Sequence, residues 1–199
     1  MKKFFVATKN PHKVGEFKRI LEPLGFSVVC ETDLKEKLED VEETGTTFQE
    51  NSMIKAKAGF FSTGLPTVAD DSGLCVDALG GEPGIYSARY AGVHGDYQAN
   101  NEKLLNLMKD VPKEKRTAKF VSAVSCVLPN GIEFTVIGEC HGEIAFDIKG
   151  ENGFAFDRVF ISCLGRFSEI TPEQKDSISH RHTALIKFEE KLKELGYYA

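Results

Sequence analysis

The chain lacks a basic excess, a long apolar run and paired cysteines, and each absence removes a class of function. With 25 lysines and arginines against 30 aspartates and glutamates, the formal charge is −5. Surfaces that bind nucleic-acid polymers need cations to offset backbone phosphates, so a broad interface of that kind is not expected. A local basic pocket for a phosphorylated small molecule stays open. No apolar stretch approaches the roughly 20 residues needed to span a bilayer. The opening "MKKFFVATKN" carries an apolar stretch too short for a secretory core. Five cysteines (Cys30, Cys75, Cys126, Cys140 and Cys163) are scattered without a Cys-x-x-Cys pair. An odd count at such spacing fits free thiols in a reducing compartment. The expectation is a cytoplasmic protein that uses neither a membrane nor a nucleic-acid polymer as partner. No repeat, low-complexity tract or linker interrupts residues 1–199, which are expected to form a single domain.

What is present reads as alternating α and β structure. "KKFFVAT" has the apolar density of a buried strand. Asn10 then offers an N-cap and Pro11 the favoured first helical position. Val14, Phe17, Leu21 and Leu24 follow at helical spacing, Gly25 is a stop, and "FSVVC" is a second strand. The opening is therefore βαβ-like. The acidic run from Glu31 to Gly45 lacks periodicity and reads as a surface loop. Thr47 and Glu50 have capping-box spacing ahead of a helix that stops near Gly64. "PTVA" is a short strand leading into Asp70 and Asp71, and "LCVDAL" follows. "GGEPGIYSARYAG" is too irregular for either regular element, and Asp96 caps a helix carrying Leu104, Leu105 and Met108. "TAKFVSAVSCVL" and "IEFTVIGECHG" flank Asn130-Gly131, a hairpin signal. "RVFIS" is a further strand, and Leu185, Phe188, Leu192 and Leu195 form the buried stripe of a last helix. The expected fold is α/β, with a central mixed sheet that includes a long antiparallel hairpin.

Four stretches carry residues suited to chemistry. "TKNPHK", Thr8 to Lys13, lies at a strand-to-helix junction, where unpaired N–H groups and a helix dipole favour phosphate. It is not a Walker A loop, because the Gly-x-x-x-x-Gly-Lys pattern is absent. "ADDSG" offers two carboxylates that point to opposite sides if the chain is extended. Carboxylate oxygens suit Mg²⁺, and Glu42 or Glu43 in the acidic loop could supply a second ligand. The competing reading is a turn. In "GENGFAFDR", Phe154 or Phe156 could stack on a base and Asp157 could accept hydrogen bonds; the plainer alternative is a tight turn between core phenylalanines. In "KDSISHRHTAL", Lys175 precedes a helix start that Ser177 or Ser179 could cap. Arg181 shares a face with Leu185 at that helix end. His180 and His182 flank Arg181, but neighbouring helical residues diverge and no Cys or His partner is in evidence, so zinc is discounted. A phosphate cradle, a carboxylate metal site, an aromatic loop and a cationic helix end together match the needs of a nucleoside triphosphate. A haloacid-dehalogenase-type phosphatase would need Asp-x-Asp, which "ADDSG" does not supply.

In order and spacing, "TKNPHK", "EETGTTFQENSMIKA", "ADDSGLCVDALGGEPGIYSARYAG", "ENGFAFD" and "EQKDSISHR" closely resemble the inosine triphosphate pyrophosphatase family, the dITP/XTP pyrophosphatases. The resemblance implies a homodimer of two-lobed α/β subunits with a nucleotide cleft between the lobes. It implies Mg²⁺-dependent hydrolysis of ITP, dITP or XTP to the monophosphate and pyrophosphate, cleansing the nucleotide pool. By position, Thr8, Lys9, Asn10, Pro11, His12 and Lys13 would hold the triphosphate, with Lys55 and Lys175 as further cationic contacts. Glu42 and Asp71 would carry the metal, Asp71 would be the proton acceptor, and Ser72 would touch substrate. Phe154, Ala155, Phe156 and Asp157, with His180 and Arg181, would form the base pocket. The chain departs from the family at Ala155-Phe156-Asp157-Arg158, where Gly-Tyr-Asp-Pro is usual. That departure bears on base preference and loop rigidity, so a pyrophosphatase of altered base preference is one alternative. A non-catalytic nucleotide-binding sensor is another.

Overall fold

A computed structural model of the chain describes residues 2–34, 38 and 41–198, except the side chain of His12. The triphosphate expectation for His12 and part of the acidic loop therefore lie outside the described residues. Seven strands form one mixed sheet in the order β2-β1-β3-β4-β5-β6-β7. They are β1 (Lys3–Val6), β2 (Ser27–Cys30), β3 (Thr67–Val76), β4 (Thr117–Val127), β5 (Glu133–Ile144), β6 (Phe160–Ser162) and β7 (Gly165–Arg166). The helices are α1 (Pro11–Leu21), α2 (Phe48–Thr63), α3 (Tyr97–Leu107), α4 (Pro172–Ile178) and α5 (His180–Glu194). β1 pairs in parallel with both β2 and β3, whereas β6 is antiparallel to β5 and β7. β4 and β5 are neighbours joined by a short turn in which the Gly131 N–H donates to the Leu128 carbonyl. A connection that short requires the two strands to run in opposite directions, giving the expected long hairpin.

The chain divides into two compact units. The first comprises Met1–Asp71, Ser122–Gly138 and Thr183–Ala199. Its core is set by the alternation of β1 and the helical stripes of α1 and α5: Phe4, Val6, Phe17, Leu21, Phe26, Val68, Phe188 and Leu192 are fully or almost fully buried. The rings of Phe4 and Phe26 meet edge to face at 5.2 Å, the favoured aromatic geometry. The second unit comprises Ser72–Val121 and Glu139–His182. It has its own core of Leu74, Val76, Leu104, Met108, Phe120, Phe156, Phe160 and Phe167.

Local signals set the element ends. Thr47 and Glu50 form the capping box at the start of α2, and Gly64 at φ 67° closes it, a left-handed position that suits glycine. Asp96 accepts from the Ala99 N–H and caps α3. Three elements differ from the sequence expectation. β3 does not end at the aspartates but continues for ten residues through Asp70, Asp71 and Ser72, so "ADDSG" is strand and not turn. β6 is only three residues long and continues into β7. A separate helix, α4, capped by Thr171, carries Lys175 ahead of α5. Among the described residues no helix is long and apolar enough to cross a membrane.

Candidate active site

In the first unit the site grows from three regular elements. At the β1–α1 junction the Thr8 hydroxyl accepts from the Asn10 N–H at 3.2 Å, and Pro11 opens the helix. Lys9 is exposed, 3.7 Å from Glu31. Lys13, in the first turn of α1, lies 2.9 Å from Asp70, whose carboxylate is fully buried. Because successive strand residues face opposite ways, Asp71 is on the other face of β3. There its Oδ1 accepts from Lys55 Nζ at 2.9 Å. Lys55 is also 3.3 Å from Glu43. The start of α2 fixes that arrangement: Glu50 accepts from the Thr46 N–H, and the buried Asn51 accepts from the Gly45 N–H at 2.8 Å. Gly45 is required there, since a Cβ would come within 2.6 Å of the Asn51 oxygen. Glu42 is exposed, so among the described residues Glu43 is the acidic-loop carboxylate paired with Lys55.

One lysine serves several carboxylates, and the protonation equilibria reflect this. Burial alone would lower the Lys55 pKa, but Asp71, Asp70 and Glu43 outweigh it, and the ammonium is held above its ordinary value. Burial raises the Asp71 pKa; Lys55 opposes the rise, Glu43 adds to it, and the carboxyl ends above its ordinary value of 3.8. Asp71 Oδ2 is buried and has no hydrogen-bond partner among the described residues. A buried carboxylate oxygen without a partner costs free energy unless a ligand satisfies it. That oxygen fits a hard cation such as Mg²⁺, which takes one or two carboxylates and completes its shell with water and phosphate oxygens. Among the described residues no group of three or more His, Cys, Asp or Glu side chains is placed to hold a metal ion by itself, so water and phosphate oxygens would have to complete the shell.

The second unit carries the other set. Ser72 follows Asp71 in β3, and its hydroxyl accepts from Arg181 Nη2 at 3.3 Å. Arg181 and His180 are buried in the first turn of α5, which the Ser179 hydroxyl caps by accepting from the His182 N–H. The His180 ring stacks on Phe120 at 4.9 Å and 15°. In the loop before β6, Asp157 Oδ2 accepts from the Phe154 N–H at 2.7 Å and from Lys175 Nζ at 2.6 Å. Lys175 is thereby grouped with this loop, 5.0 Å from the Phe154 ring centre. Burial raises the Asp157 pKa above its ordinary value, with Lys175 and the Phe154 N–H opposing. A Cβ on Gly153 would collide with Asp157 Oδ2, so only glycine fits the turn.

The two phenylalanines of this loop separate. Phe154 is 40% exposed and presents a ring, whereas Phe156 is 1% exposed and belongs to the core beside Tyr90. The expectation that either could stack narrows to Phe154, because a fully packed ring has no free face. Ala155 has φ 52°, the only positive value among the described non-glycine residues. A left-handed conformation costs an L-residue roughly 1–2 kcal/mol, so the Ala155 methyl carries a real penalty. Arg158 donates to the Gly150 carbonyl and to Gln98.

Sequence reading missed Asn51, Asn100, Asn101 and Arg116, all of them buried. Asn100 accepts from the Ala91 N–H at 2.6 Å, Asn101 donates to the Ala155 carbonyl, and Arg116 donates to the carbonyls of Met108, Ile144 and Ala145. The one available signal was two adjacent asparagines inside a helix, which they disfavour.

The sequence matches the Ham1 family over residues 4–191. It is 48% identical over 188 residues to the dITP/XTP pyrophosphatase of Mycobacteroides abscessus, covering 92% of this chain and 91% of that one. It is 46% identical to the Bacillus subtilis dITP/XTP pyrophosphatase over 189 residues, covering 94% and 95%. Among solved structures, the Staphylococcus aureus Ham1 protein superposes with a TM-score of 0.90 at 39% identity, covering 98% of this chain and 100% of that chain.

Proposed function

The chain belongs to the Ham1 family, and from that premise we propose that it is a nucleoside triphosphate pyrophosphatase acting on the non-canonical purine nucleotides dITP, ITP and XTP. The names of its relatives support the substrate class. The observation that carries the chemistry is Asp71: a half-buried carboxylate, held by Lys55 through Oδ1, whose buried Oδ2 has no hydrogen-bond partner among the described residues.

In this reading the N–H groups at the start of α1, with Thr8, Asn10 and Lys13, bind the triphosphate, and Lys55 offsets its charge. Asp70 holds Lys13 in place from the opposite face of β3. Asp71 orients a water and takes its proton as the oxygen attacks the α-phosphorus. The new bond is from that oxygen to phosphorus, the bond to the bridging β-phosphate oxygen breaks, and pyrophosphate leaves with the electron pair. Mg²⁺, held by Asp71 with Glu42 or Glu43, would supply charge neutralisation on the phosphate oxygens. Phe154 stacks on the base. Arg181 donates to a 6-keto oxygen, where an adenine amino group would set donor against donor, a mismatch worth about 1–3 kcal/mol. The family resemblance supports a homodimeric assembly. An altered base preference is the second reading, favoured by Ala155 at φ 52° where the family pattern has glycine.

Hydrolysis of XTP in ¹⁸O-labelled water tests the chemistry. Attack at the α-phosphorus puts the label in the monophosphate and leaves pyrophosphate unlabelled. Label in pyrophosphate, or release of inorganic phosphate alone, would remove the proposed mechanism.

A further inference from the structure

Asn101 lies in α3, outside every stretch so far assigned to substrate, yet it is 1% exposed and donates two hydrogen bonds. One goes to the Tyr97 carbonyl one turn earlier, at 2.6 Å. The other crosses 54 residues of sequence to the Ala155 carbonyl, at 2.8 Å. Both partners are carbonyls, so only the amide nitrogen can face them and the side-chain orientation is fixed. The receiving residue is the one non-glycine with positive φ among the described residues.

The same turn of α3 meets the loop at two further points. The Tyr97 ring lies 6.2 Å from the Phe154 ring, and Gln98 accepts from Arg158. α3 is itself pinned from behind. Asn100 accepts from the Ala91 N–H, and Ser87 accepts from the Leu74 N–H of β3 while donating to the Gly84 carbonyl. A chain of contacts therefore runs from β3 through the glycine-rich segment and α3 to Ala155. Its last link is the Asn101 amide.

We infer that Asn101 is a positioning residue for base recognition: its hydrogen bond holds Ala155 left-handed, and this sets where Phe154 and Asp157 present themselves to the purine. The inference rests on the reading of the Phe154–Asp157 loop as the base loop. Asn101 touches no substrate. It offsets the backbone cost of an alanine at φ 52°, so its effect is confined to ligands that carry a base.

The test is Asn101→Asp, which is isosteric but sets an oxygen against two carbonyls. The KM for XTP rises about tenfold, equivalent to about 1.4 kcal/mol, while kcat stays within about threefold. Inhibition by inorganic tripolyphosphate, which has no base, keeps its Ki to within about twofold. Adding Ala155→Gly recovers about threefold or more of the KM, because glycine adopts the conformation without help. Hydrogen exchange gives a readout independent of turnover: amides of residues 153–158 exchange faster in Asn101→Asp, and those of residues 8–14 do not. Unchanged KM and unchanged loop exchange would overturn the inference, as would a parallel rise in KM and in the tripolyphosphate Ki. If Asn101→Asp does not fold, Asn101→Ala removes the same donor and carries the same expectations. Failure of the wild-type protein to release pyrophosphate would sink the functional reading, while the exchange experiment would still decide the role of Asn101 in the loop.

Discussion

The first unit carries its paired lysines and aspartates on regular structure, and the second carries Phe154, Ala155 and Asp157 on an irregular loop held from behind. Lys13, Lys55, Asp70 and Asp71 sit on α1, α2 and β3, each fixed by a repeating backbone and by an ion pair of 2.9 Å. Phe154, Ala155 and Asp157 sit in a turn that needs Gly153, Lys175 and Asn101 to keep its shape. Phosphate geometry is the same in every nucleoside triphosphate, so a rigid and regular frame suits it. Base identity is what varies, and an irregular loop places individual donors and rings independently of any helical or strand repeat. The division predicts that changes in the first unit alter turnover whatever the base, and that changes in the second alter selection.

The largest effect is expected from Asp71→Asn. Loss of a general base lowers turnover by about 10²–10⁴-fold, while XTP affinity by equilibrium binding stays within about threefold. Normal turnover would remove Asp71 from the mechanism. Next is Arg181→Ala, in which the ratio of kcat/KM for ITP over ATP falls by about 5–150-fold, matching a lost buried donor of about 1–3 kcal/mol. An equal loss for both nucleotides would mean that Arg181 serves the phosphates instead.

A third prediction concerns pH. Burial raises the Asp71 pKa in the folded state, so the native protein binds that proton more tightly than the unfolded chain. The resulting stabilisation is complete below the ordinary value of 3.8 and is lost as pH rises through the folded value. An amide in place of the carboxyl, as in Asp71→Asn, carries no such dependence. In chelator, thermal melts of Asp71→Asn and wild type therefore diverge in favour of the variant as pH rises above the ordinary value of 3.8. A constant difference would mean that Asp71 does not titrate differently on folding. The smallest effect is Ala155→Gly, which relieves the left-handed alanine and raises the melting temperature by about 2–4 °C for about 1 kcal/mol. A decrease would show that the methyl packs better than the backbone suffers.

How legible each part was in the sequence follows the same division. The βαβ opening, the capping box of α2, the Asn130-Gly131 turn and the stripe of α5 depend on local pattern, and local pattern displays them. Adjacent carboxylates argued for the end of a strand, yet β3 runs through them. It lies between β1 and β4, with neighbours on both sides, and a lysine from α1 meets Asp70 while one from α2 meets Asp71. Those lysines are 57 and 16 residues away, so the compensation is tertiary and leaves no local mark. Phe154 and Phe156 looked equivalent in sequence, and only packing separated the exposed ring from the core one. Asn101 was least visible, because its role exists only through a carbonyl 54 residues distant.

Pyrophosphate release from XTP, ITP, dITP, GTP and ATP, each with Mg²⁺ and with chelator, tests the proposed activity directly. Metal-dependent release that strongly favours XTP, ITP and dITP is expected. Equal release from all five would leave the phosphate chemistry of the first unit standing and remove base selection from the second. No release from any of them would mean that this chain is not a pyrophosphatase.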